Sequence, residues 1–236
     1  MSGSAAPTPP VHEAAARRDW HAYFERIEGR PPRQTAIDAM DAFEADRTAD
    51  EGALAIDLAC GSGIDAMELL RRGWHVLAID ASEEALARLR ARPEATVGTE
   101  AGDRLRTVRC RFEDVELPPC PLLNASFALP FCPPGVFESL WAKIEAVVVP
   151  GGRFAGQFFG DRDSWAGEAD LTCLSRDGVI GLFDGWVLES LREEDRASAH
   201  AAYPKHWHVF HVVARRRVVS NEPTARAVGR EGRDML

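Results

Sequence analysis

The sequence predicts an α/β domain with a doubly wound, mostly parallel seven-stranded sheet whose last strand is antiparallel. From Ala53 onward, short apolar runs alternate with segments of helical periodicity, which is typical of βαβ units. The glycines Gly61 and Gly63 mark a sharp turn after the first of these runs. Beyond Phe183 two apolar runs follow each other with only an acidic, alanine-rich connector, which favours an antiparallel pair.

Each element of this fold has its own signal. The strands are expected at residues 54–58, 75–79, 105–110, 122–125, 153–159, 186–191 and 207–215. Helices are expected at residues 63–72, 83–92 and 134–147, and Pro93 ends the second because proline cannot continue a helix.

Two more helices are predicted ahead of the first strand. The first has apolar residues at helical spacing, namely Trp20, Tyr23, Phe24 and Ile27. The second is expected to begin with Thr35 as its N-cap. We therefore expect a helical cap over residues 13–48, ahead of a main domain over residues 49–218. The first helix is expected to lie as a lid over the ligand or to pack as an ordinary helix. Residues 1–12 and 219–236 are expected to be tails without fixed structure.

The composition excludes several classes of function. A length of 236 residues suits one large domain, and 28 Lys and Arg against 37 Asp and Glu give a net charge of -9, which disfavours nucleic acid and anionic membranes as partners. The first residues carry no secretion signal and no run of residues could span a bilayer, so a cytoplasmic protein is expected. The five cysteines are scattered, so neither a disulfide framework nor a metal site is expected. The sequence contains no signal that indicates the oligomeric state.

The turn after the first strand predicts a nucleotide-like ligand. Gly61 and Gly63 let a ligand approach the backbone, and the next helix offers unpaired N–H groups. Asp80 ends the second strand, 19 residues after Gly61, where a carboxylate accepts both hydroxyls of a ribose. Asp57 lies four residues before Gly61 and favours a cationic ligand over a pyrophosphate. A carboxylate that only binds turn amides is the alternative for Asp57.

The segment from Asp57 to Gly63 resembles the first motif of the class I S-adenosylmethionine-dependent methyltransferases. The resemblance implies a Rossmann-like methyltransferase fold, S-adenosylmethionine as cofactor and a set of cofactor-binding residues. In it Asp80 meets the ribose, Glu113 or its neighbour Asp114 meets the adenine amine, and the end of the fourth strand lies beside the transferred methyl group. The full set is Asp57, Ala59, Gly61, Gly63, Asp80, Ala81, Glu113, Asp114, Asn124 and Ala125.

A looser resemblance concerns the methyl acceptor. Residues 20–32, 124–132 and 159–165 are similar to a bacterial group that includes the tellurite-resistance methyltransferases. This group does not identify the acceptor, because substrates do not transfer with a fold. A small-molecule acceptor is expected, with a thiol or a chalcogen oxyanion as the leading class.

The activated methyl group needs mainly alignment and exclusion of water, so the reaction requires a base only when the acceptor must lose a proton. The candidate bases are Tyr23, His206 and His208. For the two histidines, a contact to the acceptor and a purely structural role stay open. Arg30 and Arg162 are expected either to attract an anionic acceptor or to form surface ion pairs.

Two other functions fit parts of this pattern. The spacing from Gly61 through Gly63 to Ala66 also matches the dinucleotide-binding fingerprint, which would make the chain a nicotinamide-dependent oxidoreductase. A cofactor-binding protein without catalysis is the third hypothesis.

Overall fold

The computed structural model describes residues 11–46, 52–95, 100–199 and 204–218. The predicted tails therefore lie mostly outside the described residues. The first helix begins at Val11, so the unstructured segment predicted for residues 1–12 overlaps a helix at its end.

A single mixed sheet forms the centre of the protein. Its strands are β1 (Leu54–Leu58), β2 (His75–Asp80), β3 (Leu105–Arg109), β4 (Cys120–Ala125), β5 (Val148–Gly160), β6 (Cys173–Leu174), β7 (Trp186–Ala197) and β8 (His206–Arg216). The order along the sheet is β3-β2-β1-β4-β5-β8-β7, and β6 adds a two-residue pairing to the end of β5. β8 runs antiparallel to both of its neighbours, β5 and β7, and the other strand pairs are parallel. The predicted fold class is confirmed, with the short β6 as an additional strand.

Eight α-helices surround the sheet in the described part of the chain. They are α1 (Val11–Ala16), α2 (Trp20–Ile27), α3 (Gln34–Asp46), α4 (Ile64–Arg71), α5 (Glu83–Arg90), α6 (Glu100–Asp103), α7 (Pro134–Val147) and α8 (Arg176–Gly181). None of these helices has the length and apolar character that a bilayer span requires.

The start of α3 differs from its prediction. The helix begins at Gln34, so Thr35 lies inside its first turn and is not the N-cap. The Thr35 hydroxyl instead accepts a hydrogen bond of 2.8 Å from the side chain of Gln157 on β5. A long-range partner thus determines the role of a residue whose local preference is for the cap.

The two faces of the sheet bury separate apolar layers. On one face, aromatic side chains form edge-to-face contacts, as where Trp141 of α7 lies 5.3 Å from Phe154 and 5.1 Å from Phe183. On the other face, α4 packs on β1 and β2 and α3 packs on β5 and β8, with Met40 and Leu69 fully buried. Helices on both faces leave the carboxyl ends of the parallel strands as the open edge for a ligand.

One buried cation joins α3 to the far half of the sheet. Arg153 on β5 is 1% exposed, and its guanidinium binds Asp46 at 2.5 Å and Glu189 at 2.7 Å. It also lies 4.6 Å from the centre of the Phe43 ring. Because a buried charge is costly without partners, this cluster makes the position of α3 depend on β5 and β7.

We expect Arg153→Gln to lower the free energy of unfolding by about 2–3 kcal/mol, since it leaves the partly buried Glu189 without its cation and removes the shorter of the two ion pairs of Asp46. Arg215 also approaches Asp46, at 3.3 Å, but its side chain is 36% exposed. Arg215→Gln is therefore the matched control and should change stability by less than about 0.5 kcal/mol. Urea unfolding followed by circular dichroism measures both, and equal losses would contradict the role assigned to Arg153.

Candidate active site

A cavity of about 570 Å³ opens at the carboxyl ends of the parallel strands. Its floor is the turn after β1, and its sides are the ends of β2 and β4 and the segment after β3. Helix α2 and the following loop form the opposite wall. The cavity thus lies where ligands bind in open α/β sheets.

The Asp80 carboxylate at the end of β2 holds the glycine turn in place. One of its oxygens accepts a hydrogen bond from the backbone N–H of Gly61, and the other accepts one from Ser82, both at 2.8 Å. Burial raises the pKa of Asp80, and these backbone hydrogen bonds oppose the rise by favouring the ionised form. An acceptor-rich carboxylate therefore lies beside the turn, at the edge of the cavity.

Both predicted glycines are required by the backbone. Gly61 has φ +53° and Gly63 has φ +80°, in the region that disfavours side chains. A Cβ at Gly63 would lie 2.2 Å from Leu89 of α5, and a Cβ at Gly61 would lie 3.2 Å from the Phe24 ring of α2. Gly61 thus lets α2 approach the turn, and Gly63 lets α5 approach the start of α4.

Two buried carboxylates share one amide beneath the turn. The side-chain NH₂ of Asn124 on β4 donates to Asp57 at 2.8 Å and to Asp65 at 3.1 Å. Asp57 is 2% exposed and Asp65 is 6% exposed. Burial raises the pKa of Asp57 well above its usual range, the nearby Asp65 charge raises it further, and the Asn124 hydrogen bond partly offsets both.

The cavity floor offers polar atoms that fit a cationic, hydrogen-bonding ligand. The second carboxylate oxygen of Asp57 and the hydroxyl of Ser62 are buried and have no hydrogen-bond partner among the described residues. Both residues line the cavity. Buried polar atoms are rarely left unpaired, so their arrangement matches a ligand that brings a positively charged donor to the turn. These two oxygen atoms can accept hydrogen bonds, so they suit the amino group of an amino-acid-like cofactor better than a pyrophosphate.

Aromatic side chains form the wall opposite the turn. Trp20 and Tyr23 of α2 meet edge to face at 5.7 Å, and Trp20 meets Phe131 at 5.2 Å. Trp165 lies 6.4 Å from Phe131 but does not line the cavity. This wall is apolar and lies away from the buried carboxylates, so it suits the uncharged part of a small molecule.

The cavity contains most of the predicted site residues. Asp57, Ala59, Gly61, Asp80, Ala81 and Glu113 line it, as does Tyr23. Four of the predicted cofactor-binding residues do not, and they are Gly63, Asp114, Asn124 and Ala125. Of these, Gly63 is the N-cap of α4, and the Asn124 side chain binds Asp57 from below. Of the two alternatives for the adenine contact, only Glu113 borders the cavity.

The prediction that His206 or His208 serves as a base is not supported, because neither lines the cavity. His206 lies 2.6 Å from Asp195 of β7, and the fully buried His208 lies 3.0 Å from Glu193. The other ring nitrogen of His208 accepts the backbone N–H of Arg162 at 3.0 Å. The His208 ring thus connects the β7–β8 hairpin to the loop after β5, whereas the His206 ring pairs within the hairpin. The alternation of side chains along β8 predicts that His206 and His208 share one face of the strand. It does not predict which elements that face contacts.

The same hairpin accounts for Arg162. Its guanidinium binds Glu193 at 2.7 Å and Asp195 at 2.6 Å, so the surface ion-pair interpretation holds and Arg162 does not reach the cavity. Glu193, Asp195 and His208 are also close enough to share a metal ion, but Arg162 already neutralises the two carboxylates. Arg30 does line the cavity and is exposed.

Two charged residues that line the cavity, Asp65 and Arg33, could not be recognised as neighbours from the sequence. Asp65 stands in the first turn of α4, where an acidic residue is an ordinary helix-dipole feature. Arg33 directly precedes α3 and lines the cavity. The backbone N–H of Arg33 donates to Asp65 at 2.8 Å. Only the three-dimensional contact between the two segments reveals this pair.

Comparison with known proteins agrees with this geometry. Residues 55–152 match the model of a family described as a methyltransferase domain. That range runs from β1 into the turn at the start of β5 and contains the glycine turn, Asp80 and Glu113. A search of curated protein sequences finds no match.

Several solved structures share the fold at low sequence identity. The 1,6-didemethyltoxoflavin-N1-methyltransferase of Burkholderia thailandensis, solved with 1,6-didemethyltoxoflavin and S-adenosylhomocysteine, is 19% identical with a TM-score of 0.59, covering 91% of this chain and 94% of its own. TehB of Haemophilus influenzae is 14% identical with a TM-score of 0.62, covering 84% and 67%. The magnesium protoporphyrin IX methyltransferase of Synechocystis, solved with S-adenosylmethionine, is 13% identical with a TM-score of 0.57, covering 90% and 86%.

The choice left open between a methyltransferase, a nicotinamide-dependent oxidoreductase and a non-catalytic protein is thereby answered. The family match, the fold and the unpaired acceptor atoms on the floor of the cavity agree with one another. Residues 55–152 thus match a methyltransferase domain, and the fold is shared with methyltransferases solved with S-adenosylmethionine or S-adenosylhomocysteine.

Proposed function

We propose that this enzyme transfers a methyl group to a small molecule whose nucleophile is a thiol or a chalcogen oxyanion. The observation that carries the proposal is the chemistry of the cavity lining. Among the described residues that line it, no histidine or lysine is present, and Tyr23 is the one candidate base from the sequence that remains. A lining without histidine or lysine suits an acceptor that is already nucleophilic at neutral pH, and the buried carboxylates Asp57 and Asp80 are assigned to the cofactor.

The proposed cofactor side is the floor of the cavity. Asp80 would accept the ribose hydroxyls, Glu113 would meet the adenine amine, and Asp57 with the turn at Gly61 would hold the amino acid end. When bound, S-adenosylmethionine would supply a methyl group on a positively charged sulfur. The acceptor would bond to the methyl carbon in line with the breaking C–S bond, and S-adenosylhomocysteine would be the leaving group. The protein's part is to align the acceptor and exclude water.

The proposed cap over this site is α2. Phe24 is 4% exposed and Ile27 is 8% exposed, and both lie against Ala85 of α5. Phe24 also contacts Gly61 across the cavity. The contacts of α2 therefore lie over the glycine turn, where a cap would shield the transferred methyl group from water. Of the cap predicted for residues 13–48, α1 and α2 are proposed to cover the site, whereas α3 packs on the face of the sheet.

The Cys132 thiol is not part of the proposed chemistry. It is fully buried, and burial raises the pKa of the thiol to about 12. A protonated, inaccessible thiol is a poor nucleophile, so its contribution is to packing beneath Phe131.

Asp80→Ala should weaken S-adenosylhomocysteine binding by about 2–4 kcal/mol, because the ribose hydroxyls lose a charged acceptor. Isothermal titration calorimetry measures the change. Glu83→Ala is the matched control, since Glu83 lies three residues away and pairs with Arg90 on the surface. Unchanged affinity in the Asp80 variant would remove this carboxylate from the cofactor site.

Turnover of a panel of acceptors tests the acceptor class. Small thiols, selenite and tellurite should be methylated at least about tenfold faster than phenol, because the two oxyanions are already charged and a thiol releases its proton more readily than phenol at neutral pH. The assay measures release of S-adenosylhomocysteine. Tyr23→Phe should leave thiol turnover within about threefold of the original enzyme, since no proton removal limits that reaction. Faster methylation of phenol, or loss of thiol turnover in the variant, would reject the proposed acceptor class.

A further inference from the structure

We infer that Arg33 binds a negative charge on the methyl acceptor, so that the acceptor subsite selects small molecules with a carboxylate or an oxyanion. The inference rests on the proposed function and names the substrate class for the same cavity. Arg33 reaches the cavity, whereas Arg162, a candidate for this role from the sequence, does not.

Four arginines line the cavity, and they differ in how their charge is balanced. Arg18 binds Asp170 at 2.6 Å, so its charge is neutralised. Arg30 and Arg111 are exposed to solvent. Arg33 is half-buried, and within the described part of the chain its guanidinium has no ion pair or hydrogen bond. A partly desolvated cation without a counter-charge favours an anionic ligand.

The Arg33 guanidinium lies over an aromatic ring that the fold holds in a strained position. Its central carbon lies 4.5 Å from the centre of the Phe127 ring. Phe127 has φ +50°, which is unfavourable for an aromatic residue. Its backbone N–H donates to Gln157 at 2.8 Å, and Gln157 donates in turn to Thr35 at 2.8 Å. Strain that buried hydrogen bonds maintain at a cavity wall indicates a functional position.

The backbone of Arg33 is fixed independently of its side chain. Its N–H donates to Asp65, and Asp65 shares the Asn124 amide with Asp57. The backbone of Arg33 therefore lies beside the floor of the cavity, proposed for the cofactor, and its guanidinium lies over Phe127, which follows the end of β4. A group bound by Arg33 would lie near the end of β4, where the family resemblance implies the transferred methyl group.

The shape of this subsite describes the acceptor. The guanidinium presents two parallel N–H donors, which match the paired oxygens of a carboxylate or of a chalcogen oxyanion. The adjacent ring faces of Trp20, Tyr23 and Phe131 are apolar and suit a flat carbon skeleton. An aromatic or short aliphatic acid with a thiol nucleophile has both features, and an inorganic oxyanion has the first.

The test compares 3-mercaptobenzoate with 3-mercaptobenzamide, its neutral analogue, as ligands of the protein saturated with S-adenosylhomocysteine. The melting temperature should rise with the acid and not with the amide, because only the acid pairs with Arg33. Arg33→Gln should weaken the apparent affinity for the acid at least about tenfold, and Arg33→Lys should retain part of it. Selenite as a third ligand distinguishes a carboxylate subsite from one that also takes inorganic oxyanions.

The control is Arg176→Gln, which removes an exposed arginine paired with Glu193 outside the cavity. It should bind the acid as the original protein does. All variants should keep their affinity for S-adenosylhomocysteine. Equal stabilisation by acid and amide, or full acid affinity in Arg33→Gln, would overturn the inference. An Arg33-dependent response to the acid in a protein that binds no S-adenosylhomocysteine would overturn the proposed function and support the anion subsite.

Discussion

Two buried carboxylates that share one amide are the constraint on which the site depends. Asp57 on β1 and Asp65 on α4 both accept from Asn124 on β4, so three elements of the fold meet at one side chain. Like charges brought together out of water are costly, and one amide offsets the cost only in part. A cationic ligand at the glycine turn would relieve the remaining repulsion. The fold thus carries an electrostatic cost at the position where the positively charged cofactor is proposed to bind.

The rest of the cavity is organised around this pair. Asp80 fixes the turn that starts α4, and therefore the position of Asp65. Asp65 in turn holds the backbone of Arg33. Two hydrogen bonds and the backbone between Gly61 and Asp65 thus connect the floor of the cavity with the backbone of Arg33. Helix α2 covers this assembly through Phe24, which the lack of a side chain at Gly61 permits.

The sequence predicted the features that short segments determine. The turn with Gly61 and Gly63, the carboxylate at the end of β2 and the alternation of strands and helices each follow from local patterns of residues. Arg33 could not be recognised in this way, because its role depends on Phe127, which is distant in the chain. Thr35 was wrongly expected as an N-cap for the same reason, since Gln157 binds its hydroxyl.

The histidines show a different limit of sequence reasoning. His206 and His208 are residue types common in catalysis, and the alternation of β8 placed them on one face. The facing side chains belong to β7, and its carboxylates bind both rings. Their distance from the cavity follows from the sheet order, in which β8 lies between β5 and the edge strand β7. The residues around His206 carry no information about this order of strands.

The pH dependence of S-adenosylhomocysteine affinity tests the role of the buried pair most directly. The pKa of Asp57 is raised well above its usual value, so its carboxylate takes up a proton as the pH falls towards the acidic range and then loses its attraction for the ligand's ammonium group. Calorimetry at a series of pH values from neutral into the acidic range should therefore show affinity declining in the original protein. In Asp57→Asn the affinity should be weaker at the upper end of this range and much less dependent on pH. Affinity that stays constant with pH in the original protein, or declines equally in both proteins, would contradict the account.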